Sequence, residues 1–323
     1  MRRREFLGAI ATTLICTASA SAQEKIRRVG YLSAGSPVTD DSPVSGPVIE
    51  GLKHLGWIEG KTLRLERRAA EGHIARLPSL VSELLADGVE AILTSGFPAI
   101  AACKGAAVPA IASGAGDLVG LGLVQSFRRP GGNITGISDL AGELAPKRLA
   151  ILKETSPSIR RVALLWNGAD PAMVQRHDLL GTAAASLGID VQPLAVRESE
   201  DFATAFAAME RDPPDAGFLV VDSLTGLNRK RVIEFAARHR LPFMYEGDFI
   251  VGEGGLLSYG PDLGEIGERQ ASLLDTILKG ANPAELPFER PTRIKLAVNL
   301  KTAKTLGIDI PLSLLARADN VIE

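Results

Sequence analysis

Short runs of β-branched and aliphatic residues alternate with longer amphipathic segments along this chain, and then the alternation repeats. In the first series, residues 27–33, 61–71, 89–96 and 108–113 read as strands. Residues 44–57, 75–88 and 98–106 read as helices, with Val48, Leu52 and Leu55 on one face of the first and Gly88 closing the second. A β-α-β-α-β-α-β succession of this kind demands a parallel sheet covered by helices on both faces. After 128–138 the series restarts. Helices are expected at 143–155, 171–188, 199–211 and 228–240, the third capped by Ser199, and strands at 161–167, 189–196, 216–223 and 241–247. The chain therefore holds two similar α/β units of about 110 residues each, more than one simple domain.

The remaining residues are too few for a third domain. A strand at 254–260, a long amphipathic helix at 262–280, an extended piece at 286–299 and a last helix and turn at 299–310 complete the two existing units. The chain must then cross between them more than once. The expected division is a first lobe of 26–136 plus 262–285 and a second of 137–261 plus 286–323, with a cleft between.

Residues 1–22 read as a cleaved export signal: Arg2, Arg3 and Arg4, an apolar stretch from Phe6 to Ile15, then Ala20-Ser21-Ala22. The stretch is shorter than the roughly 20 residues of a membrane span. Arg3-Arg4-Glu5-Phe6-Leu7 also fits a twin-arginine motif, so the general secretory and twin-arginine routes both stay open. Either one predicts a periplasmic protein. Cys16 invites lipidation, against which Leu14-Ile15 are bulky. Of 36 Lys plus Arg and 38 Asp plus Glu, three arginines and one glutamate fall in this leader, which leaves a mildly acidic remainder. Nucleic acid is not an expected partner of such a surface. With Cys103 alone behind the leader, no internal disulfide is possible, and stability must come from apolar cores.

Several segments carry a family resemblance: LKHLGWIEGKTLRLERRAAEG, GLVQSFRRPGGNITGIS, GGLLSYGPD, ILKGANPAELPFERPT and NLKTAKTLGIDIPLSLLARADNVIE. In order, over nearly all of the chain behind the leader, they resemble ABC-transporter substrate-binding proteins of the tryptophan/tyrosine type. The resemblance implies a type I periplasmic binding fold: two Rossmann-like lobes, three crossovers and a ligand closed between them. It implies an aromatic or branched amino acid as ligand, a membrane ABC permease as partner, a monomer and no cofactor. A periplasmic sensor that hands its closed form to a signalling receptor is the alternative.

Residues 111–120, IASGAGDLVG, place Gly114, Gly116 and Gly120 in a loose dinucleotide spacing. A dinucleotide loop belongs after the first strand of its unit; this one follows a late strand, and 33–41 lacks the fingerprint. Two readings remain: a turn that needs glycine, or a small-ligand site that uses the turn's N–H groups. Leu118 stands where the family often has proline. In open α/β sheets the ligand sits beyond the carboxyl ends of the strands. There the first unit offers Ser33, Gly35, Ser36, Thr94, Ser95, Gly96 and Ser113, donors suited to a carboxylate. The second offers Asn167, Asp222, Ser223, Tyr245 and Glu246, and with Asp117 of the first these supply carboxylates for an ammonium group. Phe97, Trp166 and Tyr245 are candidates to pack on an apolar side chain, whereas Trp57 reads as packing.

Catalytic and metal patterns are missing. His54, His73, His177 and His239 share no metal spacing, and neither a G-x-S-x-G nor a P-loop occurs. Cys103 reads as buried rather than reactive. The chain is expected to be a receptor and not an enzyme.

Overall fold

The computed structural model describes residues 26–114 and 116–323. The expected leader lies outside the described residues. The first series folds as β1 (Arg27–Ser33), α1 (Gly46–His54), β2 (Leu63–Ala69), α2 (Leu77–Ala86), β3 (Ala91–Ser95), α3 (Phe97–Ala102), β4 (Ala110–Ser113) and β5 (Ile134–Ile137). Its five strands make one parallel sheet in the order β2-β1-β3-β4-β5. The pattern did not announce β5: Ile134-Thr135-Gly136-Ile137 is short, and glycine dilutes its β signal. Its place comes from pairing with β4.

The second series gives α4 (Ala141–Thr155), β6 (Arg161–Asn167), α5 (Pro171–Ser186), β7 (Asp190–Val196), α6 (Asp201–Arg211), β8 (Ala216–Leu219), α7 (Ser223–Leu227), α8 (Arg229–His239), β9 (Phe243–Tyr245) and α9 (Asp248–Gly252). The tail adds β10 (Leu257–Pro261), α10 (Leu263–Leu278), β11 (Ile294–Asn299), α11 (Leu300–Leu306), α12 (Leu312–Leu315) and β12 (Asn320–Ile322). The second sheet runs β12-β11-β10-β9-β8-β6-β7, parallel except for the β10–β11 pair. Ser199 does not cap α6. Its hydroxyl instead accepts from Asn228 Nδ2 at 3.1 Å, and Asp201 Oδ2 takes the Arg197 and Glu198 N–H groups.

Apolar side chains pack on both faces of each sheet. After β10 the chain leaves the second lobe, and α10 lies on α1 of the first, with Ile266 and Leu274 packed among Val48 and Leu52. It then returns to form β11, antiparallel to the strand it left. The connections lie side by side. Ser138 N–H donates to Glu289 O at 2.9 Å, and Glu289 N–H donates to Gly136 O at 2.8 Å. The Glu265 carboxylate at the start of α10 accepts from the N–H groups of Thr292 and Arg293. Among the described residues no helix is long and apolar enough to cross a membrane.

Candidate functional site

Each sheet has one point where successive connections diverge. In the first sheet it lies between β1 and β3, which send the chain to opposite sides; in the second it lies between β6 and β8. Loops part there and leave a crevice at the carboxyl ends of the strands. The two crevices face each other across a cavity of about 550 Å³ lined by both lobes, a size suited to a small molecule. The lobes touch around it. A Cβ built on Gly35 would lie 3.3 Å from Ser223 Cβ, one on Gly72 3.3 Å from Leu227 Cδ1, and one on Gly116 3.5 Å from Ala172 Cβ.

The two walls differ in how they start their helices, and both carry charge: Asp41 borders the cavity from the first lobe, and Arg148, Arg176 and Arg229 join the acids of the second. The first lobe brings Ser33, Gly35, Ser36, Ser95, Gly96, Ser113 and Gly114 to the cavity. Gly96 sits at φ +78° and opens α3 without a side-chain cap; Ser33 Oγ donates to Ser36 O at 2.7 Å and fixes the first turn. The second lobe instead caps its helices with acids. Asp170 Oδ1 accepts from Ala172 N–H at 2.8 Å to start α5. Asp222 Oδ1 accepts from Thr225 N–H at 2.8 Å to start α7. Asp222 Oδ2 accepts from Asn167 Nδ2 at 2.6 Å. Asp170 Oδ2 has no hydrogen-bond partner among the described residues, although Asp170 is only 2% exposed and borders the cavity. Burial, and then the neighbouring Asp222 charge, push the Asp170 carboxyl up to about 6. Burial likewise raises Asp222.

Beside these acids lies a buried ionic network. Arg148 of α4 is 2% exposed. Its Nη1 donates to Glu246 Oε1 at 2.6 Å, and its Nε to Tyr259 O at 2.7 Å. Arg176 of α5 donates to Glu246 Oε2 at 3.2 Å and pairs with Asp139 on the first connection between lobes. Val221 N–H also donates to Glu246 Oε2, at 2.8 Å. Burial pulls the Arg148 guanidinium below its ordinary value. Burial also works against Arg176, but the carboxylates of Asp139 and Glu246 outweigh it and leave Arg176 raised. The network thus saturates Glu246 and Asp139, whereas Asp170 and Asp222 have no arginine hydrogen-bonded to them among the described residues. A removed partner would strand a buried charge, the costly case for such pairs.

Nine of the expected site residues border the cavity: Ser33, Gly35, Ser36, Ser95, Gly96, Ser113, Asp222, Ser223 and Glu246. Four stand elsewhere. Thr94 is fully buried one residue back along β3, where the pleat turns its side chain into the sheet's packing. Asp117 folds onto its own loop, accepting from the N–H groups of Val119 and Gly120. Asn167 lies behind Asp222 and supports it. Tyr245 is buried against Phe243, with ring centroids 6.0 Å apart. Of the aromatic candidates, Phe97 lines the cavity, while Trp166 stacks on His177 at 4.0 Å. The glycine loop splits its roles: Gly114 borders the cavity, and Gly116, at φ +69°, forms the lip against α5. Cys103 is buried, which pushes its thiol up to about 12.

Sequence reasoning missed Asp139, Arg148, Asp170 and Arg176. A signal existed for the arginines. Arg148 shares a helical stripe with Ala141, Ala145 and Leu152, and Arg176 shares one with Ala172, Met173 and Leu180, all buried. A charge on an apolar stripe needs a buried partner. Among the described residues, no cluster of His, Cys, Asp or Glu is placed to hold a metal ion.

Comparison with known proteins matches the family and the fold. The family model described as ABC transporter substrate binding protein matches residues 39–322. A tyrosine-binding protein of Clostridioides difficile (strain R20291) is 22% identical over 262 residues, 80% of this chain and 75% of the relative. A conserved domain protein from Vibrio cholerae superposes with a TM-score of 0.85 at 25% identity, covering 92% of this chain and 100% of that one. An ABC domain from Streptococcus pneumonia, solved in complex with L-Trp, superposes with a TM-score of 0.83 at 24% identity over 92% and 99% of the two chains.

Proposed function

We propose a function for a chain that belongs to the ABC transporter substrate binding protein family, a family of solute-binding proteins and not of enzymes: it is the exported receptor of an ABC importer, and it closes two lobes over one aromatic amino acid. The observation that carries this reading is a pair of acids, Asp170 and Asp222, that border the cavity with no arginine hydrogen-bonded to either among the described residues. An amino-acid zwitterion has one cationic and one anionic end. The ammonium group fits between Asp170 Oδ2 and the Asp222 carboxylate on the second lobe, where charge-assisted bonds form in a dry setting. The carboxylate fits the hydroxyls of Ser95 and Ser113 beside the start of α3, where Asp139, the acid next to Gly114, is already paired with Arg176. Phe97, Met173 and Phe249 on the cavity wall supply apolar surface for a side chain.

The tyrosine-binding relative and the neighbour that holds L-Trp support an aromatic side chain. Contact between the lobes around the cavity supports a ligand held from both sides, with release by hinge opening at the crossing segments and delivery to a permease. Thermal unfolding across the standard amino acids tests the reading. A ligand at 100 times its Kd adds about 2.7 kcal/mol of stability, so an aromatic amino acid should raise the melting temperature clearly. A flat response to every amino acid, with a response to a sugar or a nucleobase, would overturn it.

A further inference from the structure

The first lobe holds a buried polar atom at the cavity that neither the fold nor the zwitterion scheme employs. Tyr31 lies in the middle of β1 and packs in the cluster of Val38, Val48 and Ile266. It borders the cavity, is 1% exposed, and its hydroxyl has no hydrogen-bond partner among the described residues. Burying a hydroxyl unpaired is unfavourable, and phenylalanine would fill the same space without that penalty. Packing therefore does not account for the oxygen.

The surroundings narrow what it can meet. Val38, Leu263 and Ile266 line the cavity at the same end and carry no polar side-chain atom. Nearby hydroxyls are already engaged: Ser45 Oγ accepts from Thr39 N–H at 3.2 Å and donates to Thr39 O at 2.8 Å, and Ser42 Oγ accepts from the N–H groups of Val44 and Ser45. The two acids assigned to the ammonium group belong to the opposite lobe, and Asp41, which borders the cavity from the first lobe, is engaged with the Thr39 side chain. A ligand whose ammonium group is anchored on those two acids can extend its side chain toward the surface of Val38, Leu263 and Ile266, where the Tyr31 hydroxyl has no partner among the described residues.

We propose that the Tyr31 hydroxyl selects the ligand's side chain by hydrogen-bonding the polar edge of an aromatic ring, a phenol oxygen or an indole N–H, and so sets such ligands apart from phenylalanine. The proposal rests on the amino-acid reading above. A hydroxyl serves either edge, since it both donates and accepts. Burial pushes its ionisation upward, which keeps the proton available for donation.

Isothermal calorimetry with tyrosine, tryptophan and phenylalanine, on the wild-type chain and on Tyr31→Phe, tests it. The substitution keeps the ring, so the unliganded melting temperature should hold or rise. The wild type should prefer tyrosine or tryptophan to phenylalanine by about tenfold or more, the scale of one neutral hydrogen bond. In Tyr31→Phe that ratio should collapse toward one while phenylalanine binds as well as before. An unchanged ratio in the variant, or a wild-type preference for phenylalanine, would overturn the role of Tyr31 and leave the amino-acid reading standing. Binding of none of the three by either protein would overturn both.

Discussion

Asp170 carries two duties that oppose each other. One oxygen caps α5 and the other is buried without a partner among the described residues. Its carboxyl ionises near pH 6 instead of the ordinary 3.8. The folded state therefore holds the proton more tightly than the unfolded chain, and stability falls as pH rises from about 4 to about 6, then levels off. Holding the ionised form in that setting costs about 3 kcal/mol at neutral pH. Asparagine caps a helix as well as aspartate does and carries no charge to desolvate. Asp170→Asn should raise the unliganded unfolding free energy at pH 7 by about 1–3 kcal/mol, read by denaturant titration. The same change should weaken an amino-acid ligand tenfold or more. In the wild type the ammonium group must displace the Asp170 proton below about pH 6, so the calorimetric Kd should rise about tenfold from pH 7.5 to pH 5. Asp170→Asn should flatten that profile; a wild-type Kd independent of pH would remove Asp170 from the ammonium subsite. The sequence marked Asp222 and passed over Asp170 because Asp170-Pro171 reads as an ordinary helix start. Which cap keeps a free oxygen depends on the burial of its second lone pairs, and three-dimensional packing alone decides that.

Regular elements were legible where an apolar pattern lasted a turn or two, and β1 and β6 fall at the expected residues, 27–33 and 161–167. Those missed are short: β5, α7, α9, α12 and β12 have three to five residues each, too few for a period to register. Close packing between elements leaves even less trace, and α1 against α10 shows why. A Cβ built on Gly267 would lie 2.5 Å from Pro47 C and 2.7 Å from Val48 N, whereas one on Gly51 would lie 3.0 Å from Ala271 Cβ. Alanine in place of a helical glycine ordinarily gains about 1 kcal/mol. At Gly267 the added methyl meets backbone that cannot turn aside, so α10 must move and the sign reverses. Gly267→Ala should cost about 2 kcal/mol or more, while Gly51→Ala, whose methyl would meet Ala271 Cβ at 3.0 Å and Glu268 Cα at 3.2 Å, should cost less. Urea midpoints of the two variants check both the sign and the order. Equal, neutral midpoints would mean that the two helices are not in backbone contact.

At the scale of the whole molecule, the repeated α/β series foretold two lobes and a cleft, but not how the lobes meet. Their contact depends on a few positions without side chains. Gly35 approaches the Ser223 main chain: a Cβ added there would lie 3.4 Å from Ser223 Cα and 3.4 Å from Ser223 O. This contact joins the crevice of one lobe to the crevice of the other. A ligand favours closure only through what it gains in the closed form, and a wedge at Gly35 subtracts from that gain without touching either core. Gly35→Leu should leave the unliganded melting temperature nearly unchanged, because the lobes fold around separate apolar clusters. It should weaken an aromatic amino acid by tenfold or more, since a variant that populates the closed form in only about a tenth of molecules binds about ten times less tightly. Small-angle scattering supplies the deciding readout. The wild type should contract on addition of ligand, and Gly35→Leu should need about ten times more ligand to contract to the same extent. Contraction of the variant at the same ligand concentrations as the wild type would show that the Gly35–Ser223 contact does not control closure, and that affinity resides wholly in groups that touch the ligand.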